Sequence, residues 1–134
     1  MTNKINNISM ILSEVHDAGI NFRALGDELG VARNTVSGWS HGRHSPENPK
    51  KVINAVQKKC RYLQQLIIKE TADLDDVRKE LGFKEAKLAQ ILGVSRQYLN
   101  FQKQEGFEPG RLKEIQSILR GIGDQLDKVV RKYR

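Results

Sequence analysis

Cysteine occurs once in the 134 residues, proline three times, tryptophan once, and aromatic residues make up only 6% of the chain. A single cysteine, Cys60, excludes an internal disulfide and fits a reducing compartment. No apolar run approaches the ~18 residues that a membrane span needs. The nearest, Leu63 to Ile68, is broken by Gln64 and Gln65. The opening residues MTNKINN lack the apolar core of a secretory signal, so a cytoplasmic location is expected, with no membrane partner. Catalytic patterns are missing as well. There is no G-x-x-x-x-G-K-[ST] phosphate loop, no H-E-x-x-H and no Ser/His/Asp grouping above background, so no enzyme is expected. His16, His41, His44 and Cys60 have no tight ligand spacing, so neither a metal nor a cofactor is expected.

What the chain has is charge and helical periodicity. Lys and Arg number 23 against 16 Asp and Glu, a net charge of +7. A basic balance on a small protein points to an anionic partner, nucleic acid above all. The periodicity is helical nearly throughout, and nothing reads firmly as a strand. Ile5, Ile8, Ile11, Leu12 and Val15 recur at three- and four-residue spacing, as on one face of a helix ending near Gly19. Asn21 offers an N-cap for a short helix from Phe22 to Leu29. Gly30 marks a turn, and a further helix runs from Arg33 to about Ser40. His41 to Pro46 is a loop by composition, and Pro49 is placed to open a helix that carries on to Glu70.

The pattern then recurs. Shifted by 63 residues, Leu25 meets Leu88, Leu29 meets Leu92, Gly30-Val31 meets Gly93-Val94 and Arg33 meets Arg96. Gly19 meets Gly82, Val36 meets Leu99, Val52 meets Ile115 and Val56 meets Leu119, with no insertion between Gly19 and Val56. The second copy thus places a short helix over Glu85 to Leu92, a turn at Gly93 and a Ser95-capped helix to about Lys103. The expected fold is all-α, with two units over residues 1–63 and 64–134. The first unit carries nine basic and five acidic residues, the second 14 and 11, so the charge divides as +4 and +3.

The runs FRALGDELGVARNTVSGW and EAKLAQILGVSRQYLNFQ resemble the helix-turn-helix of the phage repressor and Cro-like (XRE) family. Leu25, Leu29, Val31, Val36 and Trp39 match its buried positions, Gly26 the small residue where the two helices cross, and Gly30 the turn glycine. Leu88, Ala89, Leu92, Gly93, Val94 and Leu99 match them in the second copy. The resemblance implies two tandem repressor-like helix-turn-helix units that bind double-stranded DNA. The second motif helix of each would enter the major groove while the first braces it. Base readers would be Arg33, Asn34, Ser37 and Gly38, then Ser95, Arg96, Gln97, Asn100 and Phe101. Thr35 and Tyr98 would lie beside them. Backbone clamps would come from Arg23, Ser40, His41, Arg43, Lys50, Lys51, Lys84, Lys87, Lys103, Arg111 and Lys113.

The implied role is a transcriptional regulator of phage or mobile-element type, reading an imperfect palindrome because the two copies differ. There are departures from the family pattern. Ala32 stands where a capping hydroxyl would suit, Gln102 stands where the first copy has Trp39, and Glu85, Glu105 and Glu108 surround the second motif. These leave an alternative in which one unit binds DNA and the other, through Phe101, Phe107 and the last helix, makes a homodimer or holds a protein partner.

Overall fold

The computed structural model describes the chain from residue 3 onward and its side chains from Asn7 onward. Ile5, expected on the first apolar stripe, lies outside the described side chains. The described residues form eight helices and no strand: α1 (Asn3–Asp17), α2 (Phe22–Leu29), α3 (Arg33–Ser40), α4 (Pro49–Gln64), α5 (Asp73–Leu81), α6 (Glu85–Leu92), α7 (Arg96–Glu105) and α8 (Pro109–Tyr133). The all-α class therefore holds. Among the described residues no helix is long and apolar enough to cross a membrane.

Local chemistry explains the boundaries. Asn21 has extended backbone angles and its side chain accepts from the Arg23 N–H at 2.8 Å, satisfying one of the first unpaired donors of α2. Ser95 does the same for α7, accepting from the Tyr98 N–H at 3.0 Å. Ala32 gives α3 no such bond. Asn48 caps α4 through the Lys51 N–H, and Pro49 fills its first turn, where a missing N–H costs nothing. Helices α2 and α6 both end on a glycine in the left-handed region, Gly30 at φ 71° and Gly93 at φ 70°. In both turns the next valine reaches back five residues: Val31 N–H to Gly26 O at 2.9 Å and Val94 N–H to Ala89 O at 3.0 Å.

The buried side chains make one continuous core from Ile8 to Val130. Its backbone is the pairing of α4 with α8, the most extensive helix contact in the molecule. Helix α8 also packs on α1, so the second half of the chain closes over both long helices of the first. The α4–α8 crossing is close because Gly123 has no side chain. A Cβ there would stand 2.7 Å from Leu63 Cβ and 3.1 Å from the Cys60 carbonyl oxygen. Cys60 is fully buried at this crossing, and burial pushes its thiol up to about 12, so it stays neutral at any physiological pH.

Two expectations are corrected. Helix α4 stops at Gln64 rather than running to Glu70. Residues 66–68 leave the helix and alternate, with Leu66 and Ile68 buried and Ile67 59% exposed, as an extended segment does. Side chains of α8 make this possible by bonding the freed backbone: Arg120 Nε donates to Leu66 O at 2.7 Å, and the Ile68 N–H donates to Gln116 Oε1 at 2.8 Å. Phe107, expected on the surface, is buried, and its N–H donates to Thr71 Oγ1 at 2.9 Å.

The halves also meet away from the long helices. The Asn21 N–H donates to Leu81 O at 2.9 Å. A Cβ on Gly19 would meet Phe83 and Lys87, whereas one on Gly82 would meet Asn21 and Ala24. A buried ammonium joins the halves from below. Lys59 of α4 is 3% exposed and its Nζ lies 2.6 Å from Glu80 of α5 and 3.3 Å from Glu28 of α2. Burial alone would raise the Glu28 carboxyl, but Lys59 and Lys58 outweigh it and hold its pKa below the ordinary value.

The two glycines of α8 give a matched test. Nothing lies within 4 Å of a Cβ added at Gly121. Gly121→Ala is expected to stabilise the fold by about 0.5–1 kcal/mol through helix propensity. Gly123→Ala gains the same propensity yet overpacks the crossing, for a net loss of about 1–2 kcal/mol. Urea denaturation of both variants measures the difference, which should have opposite signs.

Candidate functional site

The second helix of each short pair presents its first turn to solvent. In α3, Arg33 and Asn34 are exposed, and Thr35 and Ser37 are half-buried. At α7, its cap Ser95 and Arg96, Gln97 and Tyr98 are exposed and Asn100 is half-buried. Val36, Trp39 and Leu99 turn the opposite face of these helices into the core. In α3 the apolar Val36 and Trp39 sit at i and i+3 with polar residues before and between them, whereas in α7 Leu99 alone is the buried residue of the inner face.

Gly38 does not belong to the outward face. It is buried, and the His44 ring covers the place where a side chain would stand. His44 also meets Trp39 edge-on, with ring centroids 6.5 Å apart. Thr35 lines the neighbouring crevice under this loop, with Leu29, Pro46 and Val52. Ser40 is half-buried at the end of α3, and its carbonyl accepts from the Ser9 hydroxyl at 2.9 Å. His41 is exposed but turned back on its own helix, with Nδ1 2.8 Å from Ser37 O. Arg43 and Lys50 are exposed, one in the loop after α3 and the other in the first turn of α4.

The second pair differs in what surrounds it. Lys103, expected among the free cations, is instead taken up by carboxylates. Its Nζ lies 2.9 Å from Asp75 and 3.0 Å from Glu85, and its side chain is only 17% exposed. Arg78 joins the same cluster, 3.3 Å from Glu85 and 3.5 Å from Asp75. Bonding from Lys103 holds both carboxyls below their ordinary pKa values. Burial acts to lower Lys103, but its two acidic partners outweigh that and raise it. Arg111 is also paired, 2.8 Å from Glu114 one helical turn away. Glu85 is therefore a structural anion that holds α7 to α5, not a free charge beside the motif. Asp73 is structural too. It accepts from the Lys69 and Glu70 N–H groups, which keep its carboxyl below the usual range.

At the positions of Thr35 and Gly38 the second pair carries Tyr98 and Phe101, 49% and 59% exposed. Gln102 bonds the Tyr98 hydroxyl through Nε2 at 3.1 Å, while its own Oε1 is buried without a partner. The aromatic pair on α7 is the largest exposed apolar feature on either outward helix face.

Of the expected cations, Arg23, Arg33, Arg43, Lys50, Lys51, Lys84, Lys87, Arg96 and Lys113 make no ion pair among the described residues. Three of them come together in a way the chain order hides. Arg33, at the start of α3, lines one crevice with Lys84 and Lys87 of α6. No group of three or more His, Cys, Asp or Glu able to hold a metal occurs among the described residues. No family model matches this chain, and no match was found among curated proteins or solved structures.

The Lys103 cluster has a calculable pH signature. Its carboxyls have lowered pKa values in the fold, so their contribution is complete above the ordinary carboxylate range, about 4 to 4.5, and is lost as pH falls through the lowered values. Lys103→Gln is expected to lower stability at pH 7 by under about 1 kcal/mol, because the partners are partly exposed. Its deficit should shrink toward zero as pH falls through those lowered values and the carboxyls become protonated. Thermal melts of the two proteins across pH 2.5 to 7 measure this.

Proposed function

We propose that the chain is a sequence-specific double-stranded DNA-binding protein, a repressor-like transcriptional regulator built from two tandem helix-turn-helix units. One observation carries the reading. Helices α2 and α6 have the same length and start 63 positions apart, each is followed by a left-handed glycine and the same valine-to-carbonyl bond, and each leads into a helix whose first residue is an exposed arginine. A bracing helix, a tight turn and an outward helix face are what entry into the major groove requires. Arg33 and Arg96 can each grip guanine O6 and N7, and Asn34 and Gln97 suit adenine.

The contacts between the halves support a single chain acting as its own dimer. Gly19 faces Lys87, and Gly82 faces Ala24. Each residue of one pair is the 63-residue counterpart of a residue in the other, which is the reciprocity of a two-fold interface. Likewise Gly123 of α8 faces Cys60 of α4, its own counterpart position. Two such units would read two half-sites, and their unequal faces (Thr35 and Gly38 against Tyr98 and Phe101) would make the palindrome imperfect.

A second reading has its own observation. With Lys103 of α7 and Arg111 of α8 paired to acids and the Tyr98–Phe101 pair exposed, the second unit has lost expected free cations and shows more exposed apolar surface on its outward helix than the first. In that case the first unit binds DNA and the second holds a protein partner or another copy of the chain.

Selection of bound duplexes from a random pool tests both readings. The first expects a site of two inverted, non-identical halves, bound by one chain. Arg33→Ala and Arg96→Ala should each cost about 1–3 kcal/mol of binding, each relaxing preference in one half only. The second expects a single half-site insensitive to Arg96→Ala. Unchanged binding in both variants, or no enriched sequence, defeats the DNA-reading proposal.

A further inference from the structure

The crevice between the first half and α6 gathers three cations that make no ion pair among the described residues. Its volume is about 390 Å³, and its walls include Arg33, Lys84, Lys87, His16, Asn21 and Gln90. No aspartate or glutamate lines it. That is unusual for this molecule, whose other clustered cations are neutralised: Lys59 by Glu28 and Glu80, Lys103 and Arg78 by Asp75 and Glu85. Among the described residues none of Arg33, Lys84 and Lys87 has a carboxylate within ion-pair distance. Two acids adjoin it in sequence: Asp17, 3.9 Å from His16 Nδ1 with both side chains largely solvated, and Glu85, which is paired to Lys103 and Arg78.

Two of the walls are also held in place. The stem of Lys87 lies over Gly19, so close that a Cβ there would stand 2.8 Å from its Cε. An apolar stem packed in this way fixes the direction of its ammonium. The first turn of α6 borders the same space, and Lys84 at its N-cap supplies no side-chain acceptor for the free N–H groups. Three unpaired cations, unbonded helix donors and walls without an acid, the Glu85 carboxylate beside them being taken up by Lys103 and Arg78, describe a receptor for a compact, multiply charged oxyanion.

We propose that this crevice seats a phosphate group, held jointly by Arg33 of the first half and by Lys84 and Lys87 of the second. An occupant would tie α3 to α6 and so fix the two halves relative to each other. As a contact with a duplex backbone, the seat rests on the reading proposed above, with Arg33 turned to the base edge and the two lysines holding the phosphate; as a site for a free polyphosphate, held by all three, it does not.

The experiment uses the full chain and the double variant Lys84→Gln/Lys87→Gln, with Lys69→Gln/Lys128→Gln as a control that removes the same charge elsewhere. The first arm titrates pyrophosphate into DNA-free protein at constant ionic strength and follows backbone amide resonances. Saturable shifts confined to Gly19, Asn21 and residues 85–87 are expected in the native and control proteins. They should weaken at least tenfold in the crevice variant. The second arm measures duplex affinity against salt. The slope of log affinity on log salt should fall by about one to two in the crevice variant and stay near the native value in the control.

Saturation together with a reduced slope assigns the seat to the duplex backbone. A reduced slope without pyrophosphate saturation supports a duplex contact that forms only on docking. Saturation with an unchanged slope, or with no duplex bound at all, assigns the seat to a free polyphosphate, and in the latter case it is the DNA reading that fails. The proposal is overturned if pyrophosphate gives no localised saturation and the crevice and control variants have the same slope. Dispersed amide spectra of both variants verify that they fold.

Discussion

The crossing of α4 and α8 is the constraint on which the rest of the molecule depends. It is closed by the absence of a single side chain, at Gly123, which lets one helix lie against the Cys60 carbonyl and the Leu63 side chain of the other. Everything on the second half of the chain takes its place from that contact. Helix α8 reaches back to α1, and its Arg120 and Gln116 hold the extended segment that leads away from α4. With this segment fixed, α5 is brought against Lys59, and α6 comes to rest beside Gly19. The short helices with their outward faces ride on this frame. They are small and would not be stable alone, since helices of eight residues need tertiary support.

Charge is distributed in two different ways over this frame. Some basic residues are structural: Lys59, Arg78 and Lys103 each tie helices together through carboxylates. Others, Arg33 and Arg96 among them, have no carboxylate within ion-pair distance among the described residues. The net charge of +7 does not separate the two classes, because it counts a buried ammonium and a solvated guanidinium alike. Only the second class is available to an external anion.

The short helices and their turns were legible in the sequence because their determinants are local. An Asn or Ser cap acts within three residues, a left-handed glycine ends the helix it follows, and apolar spacing marks the inner face. The end of α4 was not legible. The run from Tyr62 to Ile68 is apolar enough to continue a helix, and what stops it is a pair of α8 side chains some 50 positions later (48 from Ile68 to Gln116, 54 from Leu66 to Arg120). The fate of Lys103 was hidden for the same reason: its partners are 28 and 18 residues earlier, on two other helices. Gly38 was misplaced because a ring from the following loop, His44, folds over a face that the helical spacing leaves open. The grouping of Arg33 with Lys84 and Lys87 could not be found by aligning the halves, since these are not equivalent positions.

One consequence follows from the covalent continuity of the α4–α8 pair. Two separate chains joined by such a contact would come apart on dilution, and their folded fraction would depend on concentration. Here the partner surfaces are carried on the same polypeptide, so they meet at a local concentration fixed by the length of chain between them. Dilution does not separate them. The two surfaces of the crossing are consequently free to differ, and they do: a cysteine on one side faces a glycine on the other. A symmetric association of identical chains would have to place the same residue on both.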